Sequence, residues 1–148
     1  MKGAVHMTKT RGFSAVMVVA ASAVAFAFPT VAAAEKCGGQ QVDERFRNVQ
    51  SIGDDRIIGS GNNDTIVGSN GDDLIDGRGG RDRLCGGRGE DTLKGGGDTD
   101  KLYGNRGDDK LEGGDQRDIL VGGIGEDSCS GGEGFDVVSG CESGRGDS

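Results

Sequence analysis

The chain has 148 residues, room for one domain, with 31 glycines, one proline, no tryptophan and a formal net charge of −8. So acidic a chain repels phosphate and gains nothing from counterion release, which argues against nucleic acid as a partner and suits a divalent cation. Its single histidine is His6, so everything beyond the first few residues lacks the commonest general base and the commonest zinc ligand.

The first segment differs from the rest. Lys2, Lys9 and Arg11 precede an apolar run from Phe13 to Phe28, then Pro29 and the small residues Val31, Ala32, Ala33 and Ala34. That order reads as a secretory signal peptide over residues 1–34, with cleavage after Ala34. The run is shorter than the ~20 residues of a spanning helix, so no membrane span is expected in the mature chain. All three basic residues would leave with it, so the mature chain carries fourteen basic against twenty-five acidic residues and a net charge of −11. Residues 35–50 follow as a non-repeating segment, expected to cap what comes next.

From residue 51 the chain is periodic. Aspartate recurs every nine residues, as Asp55, Asp64, Asp73, Asp82, Asp91, Asp100, Asp109, Asp118, Asp127 and Asp136. Two places after each stands Ile57, Ile66, Ile75, Leu84, Leu93, Leu102, Leu111, Leu120, Cys129 or Val138, and four places after each stands a glycine, from Gly59 to Gly140. An internal period of this kind marks a repeat architecture. Glycine at fixed places allows positive φ and a reversal every few residues. One apolar residue between polar neighbours is the period-two pattern of a strand with one buried face. Three-residue strands are too short for hairpins, so stacking of equivalent strands about 4.8 Å apart is the arrangement that satisfies their backbones.

Written from its glycine the unit is G-G-x-G-x-D-x-U-x, as in Gly86-Gly87-Arg88-Gly89-Glu90-Asp91-Thr92-Leu93-Lys94. It resembles the haemolysin-type calcium-binding repeat, the RTX nonapeptide, over about residues 50 to 142, and the ending Asp127-Ser128-Cys129 to Cys141-Glu142 is similar to that of small secreted actinobacterial members. The resemblance implies an all-β fold, a right-handed parallel β-roll, or β-solenoid, of about five 18-residue coils spanning residues 51–142, with a short tail at 143–148. It also implies x-U-x strands, six-residue turns, and calcium held between turns one coil apart by an aspartate from each and by turn carbonyls. The stack has a thin core, and rows of aspartate in register oppose folding without a cation. Calcium, a hard ion taking six to eight oxygens, answers both deficits, so the chain is expected to fold on binding it.

Two nonapeptides per coil put alternate aspartates on opposite sides. One row is Asp55, Asp73, Asp91, Asp109 and Asp127; the other is Asp64, Asp82, Asp100, Asp118 and Asp136. The first row keeps its inner turn glycine throughout, as Gly53, Gly71, Gly89, Gly107 and Gly125, and an acid precedes each aspartate: Asp54, Asp72, Glu90, Asp108 and Glu126. In the second row the glycine place reads Asn62, Gly80, Asp98, Gln116 and Gly134, and Arg81 and Arg117 stand beside two of the aspartates. The first row is therefore expected to bind calcium more tightly, and Gln116 to be strained. Together the rows have places for up to about eight ions.

Four cysteines in a secreted chain imply two disulfides with three possible connectivities. The reading adopted is Cys37 with Cys85 and Cys129 with Cys141. Cys85 should face outward beside Val67, Tyr103 and Val121, an apolar strip that Phe46 and Val49 of the cap segment would cover. No helical periodicity follows the glycines, which removes a phosphate loop, and an acid pair recurring at every coil is not the single cleft of a glycosidase. The Arg106-Gly107-Asp108 and Arg145-Gly146-Asp147-Ser148 stretches follow from the turn composition or chance. What remains is a secreted, extracellular, non-enzymatic calcium-ion-binding protein. The alternative is a calcium-dependent adhesion or accessory module of a secreted hydrolase or toxin system, with a protein or surface glycan as partner.

Overall fold

The computed structural model describes residues 17–20, 36–37, 40–41 and 51–145. All their regular structure is strand. Four short elements come first: β1 (Met17–Ala20), β2 (Lys36–Cys37), β3 (Gln40–Gln41) and β4 (Ser51–Ile52). The repeat region supplies β5 (Asp55–Ile58), β6 (Thr65–Asn70), β7 (Leu74–Gly79), β8 (Arg83–Arg88), β9 (Thr92–Gly97), β10 (Lys101–Arg106), β11 (Lys110–Asp115), β12 (Ile119–Ile124), β13 (Ser128–Glu133) and β14 (Val137–Ser139), and β15 (Ser143–Arg145) follows.

β2 and β3 pair with each other in a two-stranded antiparallel sheet. From β4 onward successive strands alternate between two sheets, so each pairs not with its neighbour in sequence but with the next but one. One sheet runs β1-β5-β7-β9-β11-β13-β15, the other β14-β12-β10-β8-β6-β4. Within the repeats every pairing is parallel with an offset of 18: Ile57 with Ile75, Leu93 with Leu111, Leu84 with Leu102, Leu102 with Leu120. The fold is therefore a parallel β-solenoid of about five coils, two nonapeptides each.

The core is the U residues, one row from each sheet. Ile57, Ile66, Ile75, Leu84, Leu93, Leu102, Leu111, Leu120 and Cys129 form one buried cluster, with Val138 and Cys141 packed against its end. Each strand contributes one such side chain, so neighbouring coils bury each other's apolar residue and no coil has a core of its own.

The strands are longer than the x-U-x pattern predicts. Most run six residues and include the first two glycines of the following unit, as in Thr92–Gly97, which leaves three residues between strands instead of six. The reason lies in which way those glycines face. Gly68, Gly86 and Gly104 are buried in the ladder, and a Cβ added to any of them would run into the aspartate carboxylate five residues on. A position that reads as a turn breaker is thus an extended, inward-facing residue that must lack a side chain.

The glycine proper to the bend comes later. Gly71, Gly89, Gly107 and Gly125 hold φ of +112°, +125°, +119° and +148°, and the matching places on the other side are Gly80, Asp98, Gln116 and Gly134. Gln116 is held at φ +75°, where a residue with a Cβ is strained by about 1 kcal/mol or more. Its Nε2 donates to Asp98 Oδ1 at 3.2 Å, but the pair is exposed and contributes little. Replacement Gln116→Gly is expected to stabilise the calcium-loaded protein by ~0.5–1 kcal/mol after the added freedom of the unfolded glycine is subtracted. A thermal midpoint unchanged or lowered by this substitution would contradict that.

The N-terminal edge has a feature of its own. Met17–Ala20 pairs antiparallel with Asp55–Ile58, Met17 opposite Ile58 and Ala20 opposite Asp55. Met-Val-Val-Ala has strong strand propensity, and the first coil would otherwise present an open edge. Among the described residues no helix is long and apolar enough to cross a membrane.

Cys37 is bonded to Cys85 and Cys129 to Cys141, with Cα–Cα distances of 5.8 and 6.0 Å. Cys85 lies in register with Val67 and Tyr103, and Tyr103 with Val121, so these four side chains form one outward row on the β8 sheet. Phe46 and Val49, expected to cover that row, fall outside the described residues.

Candidate metal centre

All ten repeat aspartates immediately precede or begin a strand, five on each side of the solenoid. Asp55, Asp73, Asp91, Asp109 and Asp127 enter the β5 sheet; Asp64, Asp82, Asp100, Asp118 and Asp136 enter the β6 sheet. Nine of them are buried, with Asp100, Asp118 and Asp127 at 0% exposure, and Asp136 at the end is half-buried. Burying one carboxylate without a counter-charge is costly, and here they lie in two files.

Each carboxylate after the first in its file uses one oxygen to hold the file in register. The Asp55 backbone N–H donates to Asp73 Oδ1 at 2.9 Å, Asp73 to Asp91, Asp91 to Asp109 and Asp109 to Asp127 at 2.8 to 2.9 Å. The second side repeats this: Asp64 donates to Asp82, Asp82 to Asp100, Asp100 to Asp118 and Asp118 to Asp136, at 2.7 to 2.8 Å. The sequence places the aspartates at an 18-residue spacing but gives no sign of this ladder, because a side chain bonding a backbone one coil away has no local signature.

The second oxygen has nothing. Oδ2 of Asp55, Asp73, Asp82, Asp91, Asp100, Asp109, Asp118, Asp127 and Asp136 is buried without a hydrogen-bond partner, and so is Oδ1 of Asp64. Asp64 is reversed because its Oδ2 accepts from Ser60 N–H at 2.7 Å and Ser60 Oγ at 3.0 Å. Buried polar atoms in native proteins are paired in the great majority, and ten orphans of one kind in two straight files demand a ligand that donates positive charge.

The electrostatics point the same way. Asp82 and Asp91 are pushed up to about 7, and Asp73, Asp100, Asp109 and Asp118 to about 6, from an ordinary 3.8; Asp127 is raised as well. Burial is the largest cause in each. The ladder N–H opposes it, and neighbouring carboxylates, such as Asp109 and Asp73 around Asp91, add to the rise.

The donors fit calcium. They are oxygens only, carboxylate and carbonyl, which a hard cation prefers and a thiophilic metal does not. Among the described residues no three His, Cys, Asp or Glu side chains gather at one point. An ion between coils would therefore take its remaining ligands from backbone carbonyls and water. Backbone carbonyls are close at hand: a Cβ built on Gly77, Gly95 or Gly113 would meet both Oδ2 of Asp82, Asp100 or Asp118 and the carbonyl of Gly95, Gly113 or Gly131, one coil on.

The two sides differ in their outer parts. On the first side Gly53, Gly71, Gly89 and Gly107 each donate an N–H to a carbonyl 17 residues on, at 2.9 to 3.1 Å. Outside the aspartate file Asp72, Glu90 and Glu126 donate theirs to Oδ1 of Asp54, Asp72 and Asp108. On the second side Arg81 donates to Asn63 Oδ1, and no equivalent of the glycine bonds occurs among the described residues.

Neither the curated proteins nor the solved structures give a match. The family model for the RTX calcium-binding nonapeptide repeat matches residues 51–84, 81–111 and 103–138, which together span more than half of the 148 residues. The matched stretch is the one that carries both aspartate files and the ten orphan oxygens, and the chain belongs to the RTX calcium-binding nonapeptide repeat family.

Proposed function

We propose that this chain is a secreted calcium-ion-binding protein without enzymatic activity, in which calcium lies between the turns of both files and drives the solenoid to fold. The single observation that carries the reading is the set of ten buried, partnerless carboxylate oxygens. All ten repeat aspartates are proposed ligands, assisted by turn carbonyls. The chemistry that calcium supplies is charge neutralisation and cross-linking of successive coils.

Residues 1–34 are proposed to be removed as a leader, which takes β1 from the edge of β5 and leaves 35–50 as an N-terminal cap, 51–142 as the roll and 143–148 as a tail. Two disulfides fit an oxidising, extracellular setting. A use as an adhesion or accessory module is the second reading. It is favoured by Ile124, Phe135 and Val137, which stay exposed at 69%, 75% and 55% near the C-terminal end.

Calorimetric titration with calcium tests the proposal: several ions should bind, up to about eight across the two rows, and an absence of heat at millimolar calcium would end it. The first side should bind more tightly, since acids line its turns and glycine N–H bonds already fix them. Asp91→Ala should therefore weaken binding more than Asp100→Ala, and the opposite ranking would remove the asymmetry.

A further inference from the structure

The two files end differently. On the second side Asp136 closes the ladder by accepting from Asp118, and it is only half-buried. The first side goes one rung further. The N–H of Asp127 donates to Glu142 Oε2 at 2.7 Å, where every earlier rung uses an aspartate 18 residues on; Glu142 is 15 residues on.

The missing three residues come out of the strand before the turn. Val121 pairs with Ser139 and Ser128 with Ser143, so six residues separate the paired positions in one coil and three in the next, because β12 has six residues and β14 only three. Glutamate's extra methylene makes up part of the lost reach. The shortened connection is pinned by the Cys129–Cys141 bond and by Glu142 N–H and Ser143 N–H donating to the Asp127 carbonyl at 3.0 and 3.1 Å. Asp127 has no exposed surface, and its Oδ2 lacks a partner. The unsatisfied oxygen therefore belongs to the last aspartate of this file, whose next rung is supplied by a residue off the repeat.

We infer that Asp127 and Glu142 form a further calcium site closing the first file, made from one repeat turn, one glutamate and water in place of two repeat turns. It rests on the calcium reading above. Glu142 is exposed and the coil that carries it is three residues short, so water fills the open side, which calcium's tolerant coordination permits. This ion should be held least tightly in its file.

The competing account gives Glu142 only a hydrogen-bonding role, as acceptor for the Asp127 N–H. Glu142→Gln separates the two, because an amide oxygen still accepts that N–H while the anionic charge is gone. Ions per chain are counted by native mass spectrometry of the calcium-loaded protein. Expected is one ion fewer for Glu142→Gln, and no change for Glu133→Gln, an exposed acid at the end of β13 outside both aspartate files. An unaltered count in Glu142→Gln overturns the inference and leaves the calcium reading standing, whereas a parent protein that binds no calcium removes both. Should Glu142→Gln lose its sheet signal in saturating calcium, luminescence lifetimes of terbium bound to the parent protein decide instead. A component carrying more coordinated water than the rest is expected, and a single uniform hydration number overturns the proposal.

Discussion

Removing calcium at pH 7.5 is expected to convert the circular dichroism of the mature protein from sheet to disordered chain, and returning it to millimolar calcium to restore the sheet. Six aspartates in the two files have pKa values raised by two to three pH units. At 1.36 kcal/mol per unit this is on the order of 3 kcal/mol each against the ionised coil, before solvent and salt screening reduce it. Even halved, their joint effect is comparable with the ~5–15 kcal/mol that keeps a typical domain folded. The core offers little in reserve, being one cluster of nine buried side chains. One disulfide ties β2 to β8, in the second coil, and the other closes a twelve-residue separation at the C-terminal end. They hold the ends near the stack without neutralising a single carboxylate. Chelated protein with an unchanged spectrum would mean that the files tolerate their charge unaided, and the functional reading would fail.

The nine-residue period made most of the architecture legible, and for a physical reason. In a solenoid each coil repeats the contacts of the last, so core position, strand register and side of the molecule all follow from one spacing. Ile57 to Cys129 are buried as that spacing requires, and the eighteen-residue alternation places the aspartates in two files. What the spacing hides are contacts between coils. The inward glycines such as Gly86 read as turn residues because sequence shows freedom of φ, whereas their function is to leave room for Asp91. The Oδ1 ladder joins residues 18 apart through backbone donors that no residue type marks. Glu142 lies off the period, so only the fold shows that it takes a rung. The strand Met17–Ala20 has the composition of a leader and nothing in its spacing ties it to Asp55–Ile58.

Acid should do to the metal-free protein what calcium does at neutral pH. In the unfolded chain the repeat aspartates titrate near their ordinary 3.8, while in the coil Asp82 and Asp91 titrate near 7 and Asp73, Asp100, Asp109 and Asp118 near 6. Between those values the coil binds more protons than the unfolded chain, so stability falls as pH rises. The contribution is complete below about pH 3.8 and is lost as pH climbs through 6 and 7. Metal-stripped protein in metal-free buffer, disordered at pH 8, is therefore expected to gain sheet signal on acidification, with most of the change between pH 7 and pH 4. Low protein concentration is needed, since the net charge falls towards zero on acidification; the full chain's isoelectric point is about 4.6, and loss of the three basic leader residues lowers it. With calcium present the sign reverses, because protons and calcium compete for the same oxygens: apparent affinity should fall below pH 7. Loss of sheet on acidifying the stripped protein, or calcium affinity that does not change from pH 8 to pH 5.5, would show that the buried carboxylates are not the groups that decide whether this chain folds.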